Sequence, residues 1–373
     1  MSEKEIIYTM ALTRVKSLSL SNALILYRSL GSAEAVFEHK DHICDCIPDA
    51  TERLVAALKN TDEAVRRAEA EMEFIVKNKI RCLCMNDDEY PQRLKECGDA
   101  PLCLFYCGTA DLNARRVINM VGTRKCTEYG KDLCRHFIAD LKRYHPDILV
   151  VSGLAYGVDV HAHGAAIENG METVGVLAHG LDMIYPSVHR RIAVQMAKQG
   201  GLLTEYMSAT VPDKGNFVRR NRIVAGICDA TIVVESAARG GGLITAELAE
   251  AYHRDVFAFP GRIYDEYSEG CNRLIKDNRA VLIQSAEDFV NAMCWDNPLA
   301  AKKEPRQQEL FVELTEEEQL IVNTLKNVDD KQINHIVVES GIPYSRVSVL
   351  MFELEMKGLV VPIGGARYRL LRY

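Results

Sequence analysis

Long apolar runs are missing from this chain. No uninterrupted stretch approaches the roughly 18 residues of a membrane span, and Met1–Met10 is polar, without an apolar core followed by small residues. A cytoplasmic protein with no membrane partner is expected. Cysteine pairing is missing as well: the 12 cysteines stand singly or as Cys44/Cys46 and Cys82/Cys84, with neither a CxxC pair nor zinc-finger spacing. Reduced thiols and no metal follow. Nor is there an excess of positive charge, since the formal net charge is −7. That argues against a chain coated in nucleic acid, yet a local basic face can bind phosphates while the rest repels them.

What is present is the material of a folded protein. Hydrophobic residues make up 48% and charged residues 26% of 373, which rules out wholesale disorder and exceeds what one core usually fills. From Ser187 to Arg222 seven cations (Arg190, Arg191, Lys198, Lys214, Arg219, Arg220, Arg222) stand against Glu205 and Asp213, a local balance of +5.

Apolar residues at three-and-four spacing predict helices over Leu12–Leu30, Glu52–Asn60 and Asp62–Lys77. Residues 1–85 thus read as a small helical module of the SAM or helix-hairpin-helix kind. Lys16 and Ser19, however, occupy the turn where a DNA-contacting hairpin wants glycine. From Arg116 short apolar strands alternate with helices: Val117–Val121, Ile148–Val151, Thr173–Leu177, Leu202–Thr204, Thr231–Val234, Val256–Phe259 and Val281–Ile283. The helices between them are expected at Tyr129–Tyr144, Val160–Glu168, Val188–Lys198, Arg219–Cys228 and Leu243–His253. Such alternation predicts an α/β domain over 86–296, an extended Rossmann-like, doubly wound and mostly parallel sheet with its ligand crevice at the strands' C-terminal ends. Residues 297–314 turn to Lys, Glu, Pro and Gln and read as a linker. Beyond it, helices at Glu316–Lys326, Lys331–Ser340 and Tyr344–Lys357, then two strands around Gly364 and Gly365, predict a winged helix over 315–373. Its third helix sets Arg346 and Lys357 against Glu353 and Glu355, which offers little electrostatic reason to enter a major groove.

Three segments could carry anion chemistry. The first strand ends in Gly122-Thr123-Arg124, where a glycine permits close backbone approach and the next residues supply a hydroxyl and a guanidinium. Alone, this is equally a tight turn with a surface arginine. Ser152-Gly153-Leu154-Ala155-Tyr156-Gly157 and Arg239-Gly240-Gly241-Gly242 each open a helix, and such loops present backbone N–H groups at the positive end of a helix dipole. The competing reading is that the glycines only tighten strand-to-helix turns. Neither loop fits GxGxxG, and no Gly-Lys-Ser/Thr follows, so NAD, ATP and any other cofactor are poor expectations. Phe217-Val218-Arg219-Arg220-Asn221-Arg222 sets an aromatic beside three guanidiniums and an amide, the mixture that holds a single strand by stacking and phosphate pairing. Its alternative is a solvated helix start with Phe217 in the core.

Asp159, His161, His163 and His179 invite a metal reading, and Asp182, Glu205 and Glu235 a magnesium one. On a helix, Asp159 and His163 share a face while His161 points away. Asp159 is better read as an N-cap, His163 as a packed histidine, and the carboxylates as partners that orient the arginines.

Taken together these residues resemble the DNA processing protein A (DprA, or Smf) family of bacterial natural-transformation mediators. The resemblance is carried by Tyr90-Pro91 with Leu94, Val121-Gly122-Thr123-Arg124, Ser152-Gly153-Leu154-Ala155 with Gly157 and Asp159, and Ala162-His163. It continues through Gly180-Leu181-Asp182, Tyr185-Pro186, Phe217, Arg220-Asn221-Arg222, Ala225-Gly226, Gly242-Leu243-Ile244-Thr245-Ala246, Phe259-Pro260-Gly261, and Gly270 with Asn272, Leu274 and Ile275. It spans about residues 90 to 285. It implies a basic pocket for single-stranded DNA, a homodimer formed through the same domain, loading of the RecA recombinase onto that DNA, and no enzyme activity. Carried over by position, the pocket would use Gly122, Thr123 and Arg124, the basic position after Tyr185-Pro186 (Arg190), and Arg220, Asn221 and Arg222. Arg191, Ser152, Gly153, Phe217 and Gly240, Gly241 and Gly242 complete the candidate site. His189 stands where the family usually has asparagine, and Arg279 where it usually has glycine.

Two rivals use the same fold. A nucleotide-processing hydrolase of the phosphoribohydrolase kind needs Gly-Gly-x-Gly-Thr-x-x-Glu. Here Ile244 stands where a glycine belongs, Leu248 where the catalytic glutamate belongs, and Glu247 is about 100° away around the helix. A sensor for a small nucleotide ligand would use the same anion loops.

Overall fold

The computed structural model describes residues 1–47, 50–295, 314–326, 331–362 and 367–370. The chain divides into two compact units, Met1–Leu299 and Ala300–Tyr373. The expected linker, apart from Leu314, and the turn at Gly364 and Gly365 fall outside the described residues.

The first unit is built on nine strands: β1 (Arg81–Cys84), β2 (Cys103–Gly108), β3 (Val117–Val121), β4 (Leu149–Ser152), β5 (Thr173–Val176), β6 (Gly200–Thr204), β7 (Ala230–Val233), β8 (Asp255–Ala258) and β9 (Val281–Leu282). Their order is β1-β2-β6-β5-β4-β3-β7-β8-β9. From β6 to β9 every neighbouring pair is parallel, while β1 with β2 and β2 with β6 are antiparallel. All seven strands expected from the sequence are present, within two residues at either end. The antiparallel pair β1 and β2 was not expected, and it ties the N-terminal helices into the same sheet.

Side-chain alternation splits the core in two. Ile118 and Met120 of β3 pack with Phe137, Ile138 and Leu141 of the helix Glu128–Tyr144, while Val117 and Val121 join a second cluster with Ile223, Leu243 and Ala246. Helices therefore cover both faces of the sheet, as a parallel sheet requires. Asn119, central in β3 and fully buried, donates to the Val224 carbonyl at 3.1 Å and to Thr231 Oγ1 at 2.8 Å, fixing β3 against β7 and the helix Lys214–Gly226.

The N-terminal helices depart from expectation at one point. Leu12–Leu30 is not one helix but the end of Glu3–Leu12 and the whole of Leu20–Leu30, broken where Ser17 adopts φ 65° and Ser19 caps the amide of Asn22. A serine side chain competing for the backbone overrides the apolar periodicity. Among the described residues no helix is long and apolar enough to cross a membrane.

The second unit is a winged helix. Helices Glu316–Leu325, Ile333–Ser340 and Tyr344–Met356 pack on a three-stranded antiparallel sheet, β10 (Lys331–Gln332), β11 (Val360–Pro362) and β12 (Arg367–Leu370), in the order β10-β12-β11. Glu318 closes a capping box with Thr315 and receives Lys357 at 2.7 Å.

Candidate nucleic-acid interface

The chain runs from β3 outward to β6 and then returns to the other side of β3 with β7, so the switch point lies between β3 and β7. There a crevice of about 620 Å³ opens at the strands' C-terminal ends, as the fold predicts. Its walls touch closely. Thr123 donates its amide to the Glu235 carbonyl at 2.7 Å and accepts from the Val158 amide at 3.2 Å. A Cβ on Gly122 would lie 2.5 Å from the Glu235 oxygen, and one on Gly242 3.0 Å from Gly122 Cα. Glycine is required for the loops to meet at all.

The two helix openings differ. The helix Gly241–Ala251 is preceded by Gly240, which has no side chain to cap it, and its amide end lines the crevice without a side-chain acceptor among the described residues. The helix Val158–Glu168 begins after Gly157, not at an Asp159 N-cap as expected. Asp159 instead turns back and accepts from the Ala155 amide at 3.2 Å. Burial raises its carboxyl above the ordinary range, against the opposing pull of Arg220. The loop after β4 thus spends an amide on the chain's own carboxylate. Ser152, expected in the site, is fully buried and donates to the Met120 carbonyl at 2.6 Å.

The arginines separate for a helical reason. The expected helix starting at Arg219 begins five residues earlier, at Lys214, because Asp213 caps the amides of Gly215 at 2.6 Å and Asn216 at 3.0 Å. Lys214, Phe217, Arg220, Asn221 and Val224 then share the face that lines the crevice, at helical spacing. Arg222, two residues beyond Arg220, points about 200° away. It is buried against Glu205 and the Asp99 carbonyl and does not line the crevice. Its expected convergence with the others is therefore corrected. Arg190 and Arg191 are exposed at the start of the helix Arg190–Gln199, also outside the crevice lining.

Ten candidate residues do come together: Gly122, Thr123, Arg124, Gly153, Phe217, Arg220, Asn221, Gly240, Gly241 and Gly242. Arg124 stacks its guanidinium over the Phe217 ring, 5.1 Å from the centroid. Arg220 lies deeper, donating to the Gly153 carbonyl at 2.5 Å and to that of Val176, with its Nε buried and unpartnered. Lys214 and Arg239, named from the sequence as part of the basic stretch and of a glycine loop but not among the candidate site residues, also line the crevice. Both were legible as the residues flanking a helix cap and a glycine loop.

The carboxylates once considered for magnesium are engaged structurally. Glu235 accepts from the Thr127 amide at 2.9 Å and its hydroxyl at 2.5 Å, and Asp182 from the Ala209 amide at 3.0 Å. Of these three, Glu205 is the one that orients an arginine, Arg222, among the described residues. Glu247 faces Arg279 at 3.7 Å, while half-buried Leu248 packs against the core. Among the described residues no group of three or more His, Cys, Asp or Glu could hold a metal ion.

A doubly wound sheet with a glycine-walled, arginine-bearing crevice at its switch point defines a Rossmann-like protein. The chain belongs to the DNA recombination-mediator protein A family, whose model matches residues 81–294. It is 42% identical over 204 residues to the DNA processing protein DprA of Streptococcus pneumoniae, covering 55% of this chain and 71% of that one. The X-ray structure of DNA processing protein A from Streptococcus pneumoniae is similar with a TM-score of 0.65 and 33% identity, covering 77% of this chain and 97% of that chain. A second structure, of DNA processing protein A from Helicobacter pylori, concerns that protein's single-stranded DNA binding mode. It is similar with a TM-score of 0.52 and 28% identity, covering 58% of this chain and 96% of that chain.

Proposed function

We propose that the crevice binds single-stranded DNA and that the chain acts as a recombination mediator, protecting the strand and loading the RecA recombinase onto it as a cytoplasmic homodimer rather than catalysing a reaction. The observation that carries this reading is the pairing of Arg124 with Phe217 at the crevice mouth. A guanidinium and a ring in contact present charge to a phosphate and a flat face to a base together. The glycine-walled helix end beside them adds backbone donors, and the family description and the Helicobacter pylori relative's binding mode support the same ligand class. The strand-end carboxylates are committed to amides, a hydroxyl and Arg222, which supports a binder over a hydrolase. The test is a salt series with single- and double-stranded oligonucleotides and mononucleotides. Preference for the single strand, with log affinity falling linearly in log salt at about −0.7 per phosphate contact, is expected. Equal or tighter binding of a mononucleotide would replace this reading with a nucleotide sensor.

A further inference from the structure

Two tyrosine rings beside the crevice are fixed in place yet about half exposed, Tyr156 at 48% and Tyr185 at 45%. Tyr185 lines the crevice and lies 5.8 Å from the Phe217 ring. Its loop is held by a hydrogen bond from the Tyr185 amide to His179 Nε2 at 3.2 Å. Tyr156 packs edge-on against His189 at 5.0 Å, and buried His189 bonds through Nδ1 to the Leu154 carbonyl at 3.0 Å. The residue before Leu154 is Gly153, whose carbonyl takes Arg220. The residue after Tyr156 is Gly157, packed so closely on the Arg124 loop that a Cβ would stand 2.1 Å from the Thr123 oxygen. Tyr156 is therefore anchored on both sides to elements of the crevice wall, at its rim. Directly after His189 come Arg190 and Arg191, both exposed. The carboxylates on the adjoining loops, Asp182 and Asp213, accept from the amides of Ala209 and of Gly215 and Asn216, and those donors offset part of their charge.

We infer that a single strand leaving the crevice continues across a stacking platform made by Tyr185 and Tyr156, with Arg190 and Arg191 holding its next phosphates. Fixed rings with an open face accept any base, because every base has a π-face. This accounts for two arginines that the crevice does not use. The inference rests on the reading of the crevice as a single-strand site.

The full chain is titrated with oligothymidines of roughly 4 and roughly 16 nucleotides. Tyr156→Ala is expected to weaken the longer ligand about fivefold to a hundredfold while leaving the shorter one near wild type, and Tyr156→Phe to restore it. Tyr185→Ala, whose ring also lines the crevice, is expected to weaken both. The Arg190→Ala/Arg191→Ala protein should lose affinity and salt slope for the longer ligand only. A second readout is Tyr156→Trp, whose emission, with the contribution of the single native Trp295 subtracted, should be quenched by the longer ligand alone. Wild-type affinity of Tyr156→Ala for the longer ligand, or an unquenched Tyr156→Trp, overturns the platform. The crevice reading survives that outcome so long as Arg124→Ala weakens both ligands, and it fails separately if Arg124→Ala weakens neither.

Discussion

Arg220 fills the space that a side chain on Gly153 would need: its Nη1 donates to the Gly153 carbonyl at 2.5 Å, and a Cβ on that glycine would stand 2.4 Å from Nη2. Gly153→Ala should therefore push the guanidinium aside in a site with little room, costing about 1–3 kcal/mol of stability and weakening single-strand binding as Arg220→Ala does. Urea unfolding and oligonucleotide titration of both single variants and the double variant test the coupling. Fully additive binding losses would show that the two residues act independently.

Arg124 is exposed and stacked on Phe217, so its loss would remove the proposed phosphate contact without unsettling the core. A charge-assisted hydrogen bond contributes roughly 1.5–3 kcal/mol, and Arg124→Ala should lose about tenfold to a hundredfold in affinity. Its salt slope should shrink by about 0.7. Arg124→Lys should rescue partly, keeping the charge but not the planar fork. Wild-type affinity with an unchanged slope would remove Arg124 from the site.

Arg222→Ala should act on stability, not on binding. Its side chain and that of Glu205 are 10% and 16% exposed, and stripping one partner from a buried pair costs about 3–5 kcal/mol. Burial already raises the Glu205 carboxyl above its ordinary value, with Arg222 opposing, and removing the arginine raises it further. A carboxyl that holds its proton more tightly when folded gains relative stability as pH falls. The deficit should be largest near neutral pH and shrink toward acid. Denaturant melts at about pH 7 and about pH 5 check the direction. A deficit that grows on acidification contradicts it.

His163 sets an opposite dependence. Its Nδ1 lies 2.7 Å from Thr173 Oγ1, whose hydroxyl donates to the Val150 carbonyl at 2.8 Å, so Nδ1 carries the proton. Its Nε2 is buried without a partner, and burial first, then the charges of Arg220 and His189, push its pKa down to about 3. The unfolded chain takes up the proton below about pH 6.5 and the folded chain does not. Stability from this group is therefore lost as pH falls, by about 2 kcal/mol at about pH 5. His163→Asn keeps the donor to Thr173 and should flatten that part of the stability–pH curve. An unchanged curve would mean that His163 is charged when folded.

The parallel strands from β3 to β8 were legible because they are short and mostly apolar, as strands covered on both faces tend to be. The antiparallel strands β1 and β2 were not. Arg81–Cys84 is four residues long with no alternation, and Cys103–Gly108 lies between it and β6, where it pairs with Gly201–Thr204. Pairing across that separation leaves no local signal.

The sequence by itself determined the glycine loops, the Arg124 position beyond β3 and the aromatic–arginine segment, because those depend on residue type at a strand end or a helix start. Which arginines meet was decided only in the tertiary structure. Asp213, by capping the helix at Lys214, set the angular phase that turns Arg220 into the crevice and Arg222, about 200° away, toward Glu205. Arg190 and Arg191 were left outside the crevice by the helix that follows β5. Charge composition is a property of the chain, but the direction of a charge is a property of helix phase and packing.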